Sequence, residues 1–287
     1  MNKTTRWLLF LVAFVAIAAA IILWRQRQAP PPLPQAQPQA APTEAAPAPP
    51  PTAAAEPQIR YPIEEAQRQL GEDVSLGSDR EAKPLPALDE SDAAMRDALA
   101  GLYGGESLER FFYLNDIVRH IVATIDNVPG KQVAQRLMPV KPPAGQFLTT
   151  GKEGNVYLSP ANYARYTPFV RLAQGVNPKT VVAVYIRLYP LFQQAYQELG
   201  YPTGYFNDRL VEVIDHLLAA PDVEGPVKLV QPRVLYQFED PKLEALSAGE
   251  KTLIRMGSEN AGKVKETLRQ VRQALTGGIP EGAGRTQ

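Results

Sequence analysis

Tyrosine stands beside arginine in four places: YARY at 163–166, YIRLYP at 185–190, GYFNDR at 204–209 and RVLYQFED at 233–240. Both side chains couple apolar area to a polar handle, which favours them where a partner or ligand is gripped. The candidate binding residues are therefore Arg187, Tyr185, Tyr189, Arg165 and Arg209, and the chemistry they suggest is recognition of an envelope protein or cell-wall component, with an anionic group at Arg187. The alternative role for each tyrosine is core packing with its hydroxyl reaching the surface. Arg187 stands out, because it is the lone charge between Lys179 and Glu198. If buried it requires a defined acceptor, either a carboxylate among Asp208, Glu212 and Asp215 or an anionic ligand.

Bond-breaking chemistry has less support. The chain has no cysteine and two histidines, which removes disulfides, thiol nucleophiles and thiolate metal sites. His120 follows Asp116 by four residues and His216 follows Glu212 by four, so each pair shares a helix face. There is no HExxH pattern and nothing fixes a third ligand, so neither a metal nor any other cofactor is expected. No G-x-S-x-G nucleophile elbow occurs. Gly151-Lys152-Glu153-Gly154 lacks the spacing of a phosphate loop and reads as a turn. The enzymatic alternative is hydrolysis of cell-wall material by paired carboxylates. Thirty basic and thirty acidic residues give no net charge, so no electrostatic case for nucleic acid exists.

The element that must position these residues is the helix predicted over 177–200. Asn177 is a good N-cap and Pro178 suits the first turn, while Gly200 and Pro202 end it. It is apolar nearly all round, as a central buried helix is, and Tyr185, Tyr189, Phe192 and Tyr196 form one aromatic stripe. Pro190 within it predicts a kink, as does Pro168 in the preceding helix, which runs from Ser159-Pro160 to about Gly175. These two helices should pair antiparallel. Other helices are predicted at 62–70, from 89–91 to 103, continuously over 106–126 with Asn115 on its buried stripe, and from Asn207 or Asp208 to 220. A capping box at Ser247 and Glu250 opens a short helix. Ser258 is expected to cap the last one, with Lys263, Lys265, Arg269 and Arg272 on a solvated face. The β content expected is a hairpin over 146–159 and an edge strand or extended loop over 227–238, interrupted by Pro232.

The N-terminal quarter has a different composition. After a basic tail at 1–6, residues 7–24 are uncharged and bracketed by Trp7 and Trp24, which at 1.5 Å per residue span roughly 27 Å, close to the hydrocarbon thickness. An uncleaved single membrane span with the tail in the cytoplasm is expected. Residues 25–58, rich in Ala, Pro and Gln, form a linker that cannot build a core, residues 59–277 a globular domain, and 278–287 a disordered tail. The expected fold class is mainly α: a single-span anchor plus a helical domain with one small β-hairpin or edge strand.

The strings ERFFYLNDIVRHIVATIDN, RLMPVKPPAGQFL, RYTPFV, YIRLYPLFQQAYQELGYP, YFNDRLVEVIDHLL and LVQPRVLYQF resemble the bacterial family called domain of unknown function 3014, over about residues 62–275. The resemblance implies a membrane-anchored protein of the bacterial envelope, its C-terminal domain in the periplasm, with no catalytic residues to carry over. The partners to expect are the membrane, through the single span, and an envelope protein or peptidoglycan, with no nucleic acid.

Overall fold

The computed structural model describes residues 58–70, 84–152 and 154–277. The expected cytoplasmic tail, the membrane span at 7–24, the linker up to residue 57 and the tail at 278–287 all lie outside the described residues. Among the described residues no helix is long and apolar enough to cross a membrane.

Ten α-helices and one four-stranded antiparallel sheet make up the described part. In chain order they are α1 (Ile63–Leu70), α2 (Asp92–Tyr103), α3 (Gly105–Phe111), α4 (Ile117–Asn127), β1 (Thr149–Lys152), β2 (Asn155–Leu158), α5 (Ala161–Gln174), α6 (Pro178–Glu198), α7 (Phe206–Leu218), β3 (Lys228–Val230), β4 (Gln237–Phe238), α8 (Pro241–Glu244), α9 (Ala248–Arg255) and α10 (Ser258–Thr276).

Helix α6 is the centre. Its start is local chemistry: the Asn177 side chain accepts from the Lys179 N–H at 2.9 Å, and Pro178 occupies the first turn. It runs unbroken through Pro190, whose ring faces solvent; the lost backbone hydrogen bond therefore falls where water can replace it. Its aromatic stripe is core. Tyr189, Phe192 and Tyr196 are buried together with Phe206 from the start of α7, and the Phe192 and Phe206 rings stack in parallel 6.0 Å apart. Polar atoms inside this cluster are paired. Gln193 accepts from the Tyr189 hydroxyl and the Phe206 N–H, and donates to the Gly204 carbonyl. Burial raises the Tyr185 and Tyr189 hydroxyls well above their ordinary range, and pushes Tyr196 up to about 12.

Several expectations change. The helix predicted over 106–126 is two helices. Phe112 turns extended and bridges Val140, and Asp116 adopts a left-handed conformation at φ 49°. The Asp92 carboxylate holds the new start by accepting from the Asp116 and Ile117 N–H groups at 2.9 and 3.0 Å. Asn115 falls in this break and is exposed rather than buried. Neither Asn207 nor Asp208 caps α7; both lie within its first turn. Ser258 is the first residue of α10, which Gly257 precedes at φ 80°. Helix α5 packs on α10 more than on α6, so the expected antiparallel pair does not form. The 227–238 segment is a hairpin, not a single edge strand. Pro232 lies in the connection between β3 and β4, so β3 pairs on both sides in the order β1-β2-β3-β4.

The largest change concerns α10, which lies along α5, α6 and α7. Two of its expected surface cations are structural. Arg272 pairs with Asp215 of α7. Lys265 is 4% exposed and donates to the Ala220 carbonyl at 2.7 Å and to Asp222 at 2.6 Å. Lys265→Ala should lower stability by about 1–3 kcal/mol, because the Ala220 carbonyl loses its partner in a buried place. A urea midpoint that does not move would return Lys265 to the solvated face.

Candidate functional site

The five sequence-derived binding residues do not converge. Residues two apart on a helix point about 200° apart at 3.6 residues per turn. Tyr185 and Tyr189 therefore face the core while Arg187 faces solvent, with no hydrogen bond or ion pair to any described residue. Of the two acceptors expected for Arg187, a carboxylate among Asp208, Glu212 and Asp215 is not the one it meets. Arg165 is a loop clamp, donating to the carbonyls of Ala144 at 2.8 Å and Gly145 at 2.9 Å. Beside it Asn162, fully buried, exchanges hydrogen bonds with both backbone groups of Leu148. Arg209 bridges two helices by donating to the Asp126 carboxylate at 2.9 Å and its carbonyl at 2.8 Å.

The carboxylates named as possible Arg187 acceptors are also committed elsewhere. Asp208 accepts from the backbone N–H groups of Arg60 and Tyr61. Glu212 meets the Arg60 and Arg209 guanidiniums, and Asp215 meets Arg272. His216 contacts Ser247 Oγ at 2.8 Å and Glu250 Oε2 at 3.4 Å, both through Nε2. A serine–histidine–acid relay needs the acid on the opposite ring nitrogen and a reachable hydroxyl. Here Ser247 is 4% exposed and caps α9 with Glu250, so this trio ties α7 to the capping box. His120 Nδ1 is buried without a hydrogen bond to any described residue. Among the described residues no group of three acidic or histidine side chains is placed to hold a metal.

A concave surface lies elsewhere, where α5 meets the start of α10. A cavity of about 540 Å³ is lined by a single stripe of α5, namely Tyr163, Thr167, Arg171 and Gln174, and across from it by Ser258, Glu259 and Lys263. Tyr163, Thr167 and Arg171 are spaced i, i+4, i+8, so the helix presents them in one line. A second cavity of about 430 Å³ shares Tyr163 and Ser258 with the first and continues to Tyr157 and Thr150 on the sheet.

The wall is held by Asn260, which is buried and donates to the Tyr163 and Met256 carbonyls at 2.9 and 3.0 Å. Gly257 permits the close approach: a Cβ there would lie 2.6 Å from the Tyr163 ring, and its φ of 80° disfavours any side chain. Gly257→Val should therefore displace the Tyr163 ring and cost about 1–3 kcal/mol in backbone strain alone. A crystal structure of that variant with the ring unmoved and stability unchanged would refute this account of the wall.

The groove is electropositive. Arg171 is exposed and makes no ion pair or hydrogen bond with any described residue. Lys263 reaches Glu259 at 2.5 Å, which holds that carboxyl below its usual range. The first backbone N–H groups of the 19-residue α10 add the positive end of its dipole. Among the residues lining both cavities Glu259 is the one carboxylate, and it is already paired. The arrangement can hold an extended ligand with an anionic group at Arg171 and flat apolar parts against Tyr163 and Tyr157. It does not offer two carboxylates facing across a cleft.

A family model described as "Protein of unknown function (DUF3014)" matches residues 117–272, from the start of α4 to the last turns of α10. No curated protein and no solved structure matches the chain.

Proposed function

The chain belongs to the family DUF3014, a membership that assigns no activity, and from that premise we propose that its helical domain is a binding module of the bacterial envelope. The groove between α5, α10 and the sheet takes the anionic part of an envelope protein or of a cell-wall component such as a peptidoglycan peptide. The matched residues include the whole groove, from Thr150 to Lys263. In this reading the uncharged segment at 7–24 anchors the chain in the inner membrane. The Ala-, Pro- and Gln-rich segment at 25–58 joins that anchor to the domain.

The observation that supports the binding reading is the charge inventory of the groove: an exposed Arg171 that pairs with no described residue, Tyr163 and Tyr157 along the two cavities, and Glu259 as the one carboxylate among the described lining residues. Glycoside hydrolysis by acid and base needs two carboxyl groups about 5–10 Å apart across the scissile bond, whereas the described residues lining this groove supply one. The test is co-sedimentation of the full chain with purified peptidoglycan sacculi, in parallel with capture of envelope proteins. Arg171→Glu should abolish whichever interaction the wild type shows without lowering its melting temperature. Equal retention by wild type and variant would refute the groove as the site.

A further inference from the structure

The connection between β3 and β4, residues 231–236, carries the two most exposed large apolar side chains among the described residues. Val234 is 86% and Leu235 77% exposed, against 51% or less for the rest. The turn is closed on itself: Gln231 Nε2 donates to the Val234 carbonyl at 3.0 Å, and Pro232 restricts the backbone just before the tip. Behind the tip the Tyr236 ring meets Phe147 at 5.9 Å. Phe147 and Leu148 are themselves more than a third exposed. Arg233, beside the two aliphatic residues, is exposed and makes no hydrogen bond or ion pair with any described residue.

We propose that this turn is a membrane-contact finger: Val234 and Leu235 enter the interfacial layer of an anionic phospholipid bilayer, and Arg233 pairs with a lipid phosphate. The order of residue types suits that depth profile, with an aliphatic tip, an adjacent guanidinium that binds phosphate in a fork, and an aromatic pair of the kind enriched at the headgroup level. A bilayer fits better than a protein partner because the finger is convex and short. A stable protein interface buries about 1,200–2,000 Å², which one six-residue turn cannot supply, whereas a bilayer accepts apolar surface in any amount. Two aliphatic side chains are too few to hold a protein on a membrane unaided, so the finger acts as a second contact for a chain already tethered. The sequence outside the described residues supplies that tether: an uncharged stretch of span length at 7–24, joined through about 30 linker residues to the domain.

The absence of native cysteine makes the test direct. Leu235→Cys in the full chain, labelled with an environment-sensitive fluorophore, is placed in nanodiscs of phosphatidylethanolamine and phosphatidylglycerol. Arg269→Cys, exposed on α10, is the control. The expected result is a blue-shifted emission for the Leu235→Cys label, quenched several-fold more by lipid-borne nitroxide than the control. Arg233→Glu in the same background should reverse most of that difference. Three results would overturn the proposal: a label as open to aqueous iodide as the control, a label shielded from both iodide and nitroxide, which would place protein on the finger, or a full chain that does not co-elute with the nanodiscs.

Discussion

Phe206→Ala should be the most destabilising single truncation in the domain, at about 3–5 kcal/mol. Phe206 is fully buried at the first turn of α7, stacked on Phe192 and within 5.4 Å of the Tyr196 ring centroid. Deleting the ring removes the contact through which α7 meets the stripe of α6, and the neighbouring aromatics cannot collapse into the void without breaking the Gln193 hydrogen bonds. Arg187→Ala is the comparison. That side chain is exposed and makes no hydrogen bond or ion pair with any described residue, so its loss should stay within about ±0.5 kcal/mol. Urea denaturation of both variants decides the matter. A Phe206→Ala cost below that of Arg187→Ala would mean that the aromatic cluster is not the core of this fold.

Asp208→Ala should cost about 2–4 kcal/mol and should act at one place, where the chain enters the domain. The carboxylate accepts from the Arg60 and Tyr61 N–H groups at 2.9 and 2.8 Å. Asn207 adds a hydrogen bond to the Tyr61 carbonyl. Hydrogen bonds to a charged acceptor contribute about 1.5–3 kcal/mol each. The Arg60 side chain is half exposed and resolvates, so its ion pair adds little. Hydrogen exchange should show the Arg60 and Tyr61 amides losing protection while α6 keeps its own. Asp208→Asn, which retains one good acceptor, should recover part of the loss. Uniform loss of protection across α6 and α7 would show that Asp208 supports the whole core rather than the entry of the chain.

What could be read from the sequence was what local chemistry decides. The Asn177-Pro178 start, the Ser247–Glu250 capping box and the hairpin at Gly151–Gly154 depend on residues within a few positions of one another, and all three stand in the structure. The break at 112–116 depends on Asp92, more than 20 residues upstream, and the burial of Lys265 depends on a carbonyl 45 residues away. Neither has a local signature. The five candidate binding residues scatter for a different reason. Adjacency of Tyr and Arg in sequence sets them on different sides of a helix, so the YIRLY motif splits between core and solvent. The informative spacing was Tyr163, Thr167 and Arg171 at successive fours, which the sequence displays. Its partner Lys263 comes from a helix whose neighbours only the tertiary structure reveals.

The most direct measurement of the central claim is photo-crosslinking in living cells from a benzophenone amino acid at Gln174, on the rim of the groove. The full chain should yield a discrete cross-linked product, protein or glycan-bearing, that disappears with Arg171→Glu and is absent when the same amino acid replaces Arg269 on the outer face of α10. Cross-linking that survives Arg171→Glu, or that is equal from both positions, would contradict a ligand held in this groove.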